Sequence, residues 1–244
     1  MAEPFGRPAG GVRIKICGLT SLDDALAAVD LGADYLGFNF YAKSPRRIEP
    51  AACAAICAEL ARRAAPVKTV GVFVNHTQAE VTAILAACGL DLAQLHGDEP
   101  NEHLAALGGR AFKGLRGEAA PAASELAELA RLGPGRPAFL LDAHSPNLYG
   151  GTGQTADWQA ASAIAAQYPI FLAGGLTPTN IAAAITQVRP WGVDTASGVE
   201  SAPAKKDASK MEAFINNARA AETQGADTQR YEGPEGYKGE HLGA

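Results

Sequence analysis

Cys17, Arg46, His96, Arg116 and Asp142 each stand just beyond, or at the end of, a short apolar run. Three glycine-bearing stretches do the same: Gly150–Gly153, Gly174-Gly175 and Ser197-Gly198. Three kinds of chemistry are present in that set. A thiol and a carboxyl approaching a substrate from different sides can shuttle a proton, one group giving and the other taking. Glycine turns let backbone N–H groups close on an anion, and phosphate is the anion that most often uses them. Arg46 follows Pro45, and a guanidinium so placed can hold a planar carboxylate with two parallel hydrogen bonds. Taken singly, each has a plainer meaning. A Cys can simply close a strand, glycines can simply make turns, and Arg46 can be a surface charge, as Arg47 is read. His96 is open between a substrate contact and a hydrogen-bonded structural histidine.

These groups need elements to position them, and the chain supplies a regular alternation. Val12–Cys17 alternates, with Ile14 and Ile16 on one face and Lys15 and Cys17 on the other. Ser21 and Asp24 then mark a helix start over Leu22–Leu31, with the spacing of a capping box. Strand-like runs recur at 34–40, 67–74, 92–95, 111–115, 138–141, 170–173 and 192–196. Helical patterns lie between them, at 50–64, from Thr77, 100–107, 120–132, from about Asp157, from Thr177-Pro178, and last at 208–220. Val81, Ile84, Leu85 and Cys88 form one buried stripe, and Ile181, Ala184, Ile185 and Val188 another. Cys53 and Cys57, four apart, lie one above the other on a helix. They read as core rather than as half a metal site, since no second pair completes one.

Eight strand–helix units in about 210 residues fit a single (β/α)₈ barrel. A doubly wound open sheet is the alternative, and the lack of an early GxGxxG argues against it. The expected boundaries are an extension at 1–11, the barrel at 12–220, and a flexible polar tail at 221–244. In a barrel the ends of all eight strands meet at one mouth, so the candidate residues converge there. Strand eight adjoins strand one, which sets Lys15 beside Asp194. A buried ammonium needs such a partner, and Lys15 can also favour the Cys17 thiolate.

Composition limits the partners. Of the 244 residues, 47% are hydrophobic and 19% charged, and the net charge is −5 with no basic run. A general nucleic-acid binder is not expected. Neither is a membrane span. The N-terminus lacks the apolar segment of an export signal, so the four cysteines are expected to be thiols in the cytoplasm. The expected partner is a small phosphosugar, and the protein acts as a monomer or homodimer.

Several strings, read together, resemble the phosphoribosylanthranilate isomerases of tryptophan biosynthesis. They are Lys15-Ile-Cys-Gly-Leu-Thr20, Gly37-Phe-Asn-Phe-Tyr41 with Ser44-Pro-Arg46, Val70-Gly-Val-Phe-Val74 and Gln94-Leu-His-Gly97. Leu140-Leu-Asp142 with Gly150-Gly-Thr-Gly153, Ala173-Gly-Gly-Leu176, Asp194 and Ser197-Gly-Val-Glu200 complete the set. The resemblance implies a (β/α)₈ barrel that uses no metal or organic cofactor. It implies an Amadori rearrangement of N-(5-phosphoribosyl)anthranilate, with Asp142 as general acid and Cys17 as general base. Arg46 then matches the holder of the anthranilate carboxylate. His96 is counted with the substrate contacts. Gly153, Gly174, Gly175, Ser197 and Gly198 match the phosphate site.

Three rivals remain at this level. A histidine-pathway isomerase does similar chemistry with two Asp, and Cys17 speaks against it. A phosphometabolite-sensing barrel would keep the glycine turns but has no need of Cys17 and Asp142 together. A thiol redox enzyme built on Cys17 would not explain the phosphate cradle.

Overall fold

The computed structural model describes residues 11–116, 122–135, 137–142 and 158–227. Eight parallel strands close into a barrel in sequence order. They are β1 (Arg13–Cys17), β2 (Tyr35–Asn39), β3 (Lys68–Phe73), β4 (Leu92–Leu95), β5 (Ala111–Arg116), β6 (Phe139–Asp142), β7 (Ile170–Ala173) and β8 (Gly192–Thr195). The seam is β1 against β8, where Lys15 pairs with Asp194 in register. The expected closed barrel is what forms, and the open sheet is ruled out.

Helices connect the strands around the outside: α1 (Leu22–Asp30), α2 (Pro50–Arg62), α3 (Gln78–Cys88), α4 (Asn101–Ala106), α5 (Ala123–Leu132), α6 (Trp158–Ala165) and α7 (Ile181–Val188). Local chemistry explains several of their ends. Thr77 and Glu80 make a full capping box at the start of α3, and Gly89 ends that helix in the left-handed region. Pro50 opens α2, where its missing N–H costs nothing. At α1 Ser21 accepts from the Asp24 N–H, but the Asp24 carboxylate accepts from the Lys206 N–H instead of completing a box.

Two cores result. A large one lies between barrel and helices and includes both predicted stripes. Ile84 of the α3 stripe is only partly buried against it. Cys53, Cys57 and Cys88 are all buried, and the Cys53 and Cys57 sulfurs lie 3.9 Å apart. A smaller core fills the barrel itself with Val70, Phe112, Leu140, Phe171, Ala173 and Trp191. Alternation along each strand separates the two sets, since successive side chains point in and out.

Three expectations change. Thr177 does not cap α7: the chain makes a turn over Thr177–Asn180 first, with the Asn180 side chain accepting from the Thr177 N–H, and the helix starts at Ile181. After β8 comes a 3₁₀ turn over Ser197–Val199, then a small hairpin, β9 (Glu200–Ala202) with β10 (Lys205–Lys206), which the sequence did not announce. The last helix, α8 (Ala208–Asp227), runs seven residues past Ala220; there is no proline in that stretch, and Gly225 weakens the helix without ending it. The first ten residues, the Gly150–Gly153 loop and 228–244 lie outside the described residues. No described helix is long and apolar enough to cross a membrane.

Candidate active site

Cys17 and Asp142 are the last residues of β1 and β6. All eight strands are parallel, so both stand at the same end of the barrel, three strands apart around the ring. That carboxyl end is where barrels of this kind carry their sites.

Asp142 shares a cleft of about 280 Å³ with Gly174, Gly175, Ser197 and Gly198. Four of the five residues expected to cradle phosphate therefore meet beside the expected acid, and the fifth, Gly153, lies outside the described residues. Gly174 and Gly175 both adopt positive φ, 98° and 67°, which a side chain would strain. Gly198 is required for a different reason: a methyl group there would collide with the Leu176 carbonyl oxygen. That carbonyl also accepts from the Thr195 hydroxyl at 2.8 Å. The two turns after β7 and β8 are thus packed into one unit. Asn180 braces it by donating to the Gly175 carbonyl.

Beneath the mouth, Lys15 is fully buried. Its Nζ donates to Asp194 Oδ1 at 2.8 Å and to Gln94 Oε1 at 2.9 Å. Burial pulls the ammonium pKa down, but Asp194 and Cys17 together outweigh it and the net direction is up. Asp194 also lines the cleft. Cys17, one layer above Lys15 on the same face, is buried with 8% of its surface exposed. Burial, with the Asp194 carboxylate adding to it, pushes its pKa up, and Lys15 and Lys206 together draw it down by less. So Lys15 favours the thiolate, as expected, without reversing the upward direction that burial sets.

Arg46 lies across Gly18, the residue after Cys17, where a Cβ would come within 2.6 Å of the Arg46 Cδ. Its Nε and Nη2 both donate to Glu200, each at 2.7 Å. One edge of the guanidinium is therefore occupied, and the edge carrying Nη1 remains for a second carboxylate. Glu200 is held in turn by Lys206 at 3.1 Å, and Lys206 also donates to the Ala196 carbonyl. Burial would raise the Glu200 pKa, but Arg46 and Lys206 hold it below the ordinary range. Arg47 pairs with Glu49 in the open, as a surface charge does.

His96 has its Nδ1 2.8 Å from Gln94 Nε2. Burial lowers its pKa, with Asp142 near enough to oppose that and Arg116 to reinforce it. Arg116 itself does not reach into the cleft; its Nη2 donates to the His96 carbonyl.

Gln94 and Glu200 stand within the matched strings, but their sequence context alone assigns them no role. Gln94 was findable, since a Gln two residues before His96 on a strand must point the same way. Glu200 was not: its contact with Arg46 spans 154 positions and depends on the unannounced hairpin.

A family model described as N-(5'-phosphoribosyl)anthranilate isomerase matches residues 14–217. The isomerase of that name from Geobacter metallireducens is 47% identical over 213 residues, 86% of this chain and 100% of the relative. The solved phosphoribosyl anthranilate isomerase of Thermotoga maritima superposes with a TM-score of 0.73 at 38% identity, over 86% of this chain and 99% of that one. A structure of such an isomerase in complex with reduced 1-(o-carboxyphenylamino)-1-deoxyribulose 5-phosphate gives 0.70 at 36% identity, over 86% and 99%. With its barrel, its paired glycine turns and these matches over nearly all the described residues, the chain belongs to the N-(5'-phosphoribosyl)anthranilate isomerase family.

Proposed function

We infer that the protein rearranges N-(5'-phosphoribosyl)anthranilate to 1-(2-carboxyphenylamino)-1-deoxyribulose 5-phosphate in tryptophan biosynthesis. The observation that carries this is the cleft in which Asp142 stands beside the two fused glycine turns, with Cys17 over the Lys15–Asp194 pair at the same barrel end.

In this reading the glycine turns hold the phosphate by backbone N–H groups, and the free edge of Arg46 holds the anthranilate carboxylate. Asp142 gives its proton to the furanose ring oxygen. The C1′–O bond breaks as the anthranilate nitrogen forms a double bond to C1′. Cys17, as thiolate, takes the proton from C2′, and the C–H electrons neutralise the iminium to an enolamine. Tautomerisation to the C2′ ketone completes the aldose–ketose shift. Burial favours the thiol, so Cys17 must lose its proton on the way to the reactive state, and Lys15 makes that loss attainable. His96 is a substrate contact beside Asp142. The reading places the enzyme in the cytoplasm, supported by four cysteines standing as free thiols.

The test is direct: supply freshly made phosphoribosylanthranilate and follow loss of its fluorescence. Turnover is expected. A protein inactive on it but active on the imidazole-based phosphoribosyl precursor of histidine would belong to the rival reading, against which Cys17 at the strand-one position already speaks.

A further inference from the structure

Four side chains from three strands form one hydrogen-bonded row across the barrel interior: Asp194, Lys15, Gln94 and His96. The row has a chemical direction. An ammonium can only donate, so the Gln94 atom 2.9 Å from Lys15 Nζ must be the carbonyl oxygen. The amide is thereby oriented, and the atom it turns to His96 Nδ1, 2.8 Å away, must be its NH₂. An NH₂ group can only donate too, so Nδ1 must accept and cannot carry a proton. An imidazolium, with N–H on both nitrogens, would set two donors against each other.

We propose that Lys15 and Gln94 are positioning residues that lock His96 as the neutral Nε2–H tautomer, making it a fixed uncharged hydrogen-bond donor beside Asp142. This deepens the isomerase reading and rests on it for the role of the ring in turnover. The groups facing His96 are consistent with the lock. Arg116 and Lys15 oppose a positive ring, burial opposes it further, and Asp142 and Asp194 favour it but do not prevail. Such a donor can hold a substrate oxygen without competing with Asp142 for the proton that opens the sugar ring. An imidazolium there would be a second acid, and an Nδ1–H tautomer would leave Nε2 a bare acceptor instead of a donor.

The experiment is nitrogen-15 and carbon-13 NMR of the imidazoles in the whole protein at neutral pH, with the His96 signals assigned by their loss in His96→Asn. The wild type should show Nε2 protonated and Nδ1 bare. Gln94→Glu keeps the shape and still accepts from Lys15, but offers Nδ1 an acceptor. It should move the proton onto Nδ1 and lower kcat/KM by roughly tenfold, the worth of one misplaced hydrogen bond. If Gln94→Glu does not fold, Gln94→Met releases the ring without adding charge and should show a mixture of tautomers. A wild-type ring protonated on Nδ1 or on both nitrogens overturns the proposal. So does a tautomer unchanged in the variant that folds, or a switched tautomer with undiminished kcat/KM. A wild type that does not turn over the substrate would strike the isomerase reading instead, since the spectra are taken without substrate.

Discussion

Lys15 and Asp194 are partners in the β1–β8 register, and their side chains meet at 2.8 Å where the barrel closes on itself. One contact therefore does two things. It joins the first strand to the last, and it sets a buried charge one layer beneath Cys17. Lys15→Met should strand the Asp194 carboxylate, costing about 3–5 kcal/mol of stability. Replacing both by apolar residues should restore most of it. Denaturant unfolding of the three proteins checks this, and a single variant as stable as wild type would show the pair to be idle.

The Cys17 thiol gives a pH dependence of known sign. Burial raises its pKa, so the reactive thiolate fraction at neutral pH is below that of an ordinary cysteine. Alkylation of Cys17, located by peptide mass spectrometry, should be slow at pH 7 and accelerate only above the usual thiol range. In Lys15→Met that rise should move to still higher pH, because the cation that draws the pKa down is gone. Full labelling at pH 7 would contradict both statements.

Gly198 is held against the Leu176 carbonyl, with no room for a methyl group. Gly198→Ala should force the two turns apart, costing roughly 1–3 kcal/mol. It should also weaken inhibition by inorganic phosphate. Thermal melts and phosphate inhibition constants measure the two effects, and an unchanged phosphate constant would detach Gly198 from the anion site.

Arg46 holds Glu200 by one edge and is assigned the substrate carboxylate on the other. Arg46→Lys keeps the charge but not the fork. KM for substrate should rise by roughly tenfold or more, the worth of one charge-assisted hydrogen bond, with phosphate inhibition unaffected. Steady-state kinetics with phosphate as a competitor separates these outcomes.

Much of this was legible before the structure. Strand alternation placed Lys15 and Cys17 on one face, and barrel closure brought Asp194 to Lys15. The strand ends put Asp142 with Gly174, Gly175, Ser197 and Gly198. What sequence could not show were contacts created by tertiary approach. Glu200 on Arg46 depends on the β9–β10 hairpin, two short strands of three and two residues with no periodic signal. The balance at Cys17 also had to await coordinates, since a neighbouring cation can be read from spacing but the depth of burial that outweighs it cannot. At α7, Thr177-Pro178 has the look of a helix start, and a further turn through Asn180 intervenes because the Asn side chain satisfies the Thr177 N–H first.

The central claim is that Cys17 and Asp142 act on one substrate from two sides of the same mouth. Single-turnover kinetics of Cys17→Ser and Asp142→Asn with phosphoribosylanthranilate test it most directly, alongside binding of a reduced product analogue. Each variant should lose about 10²–10⁴-fold in rate while still binding the analogue. A rate equal to wild type in either variant would contradict the account.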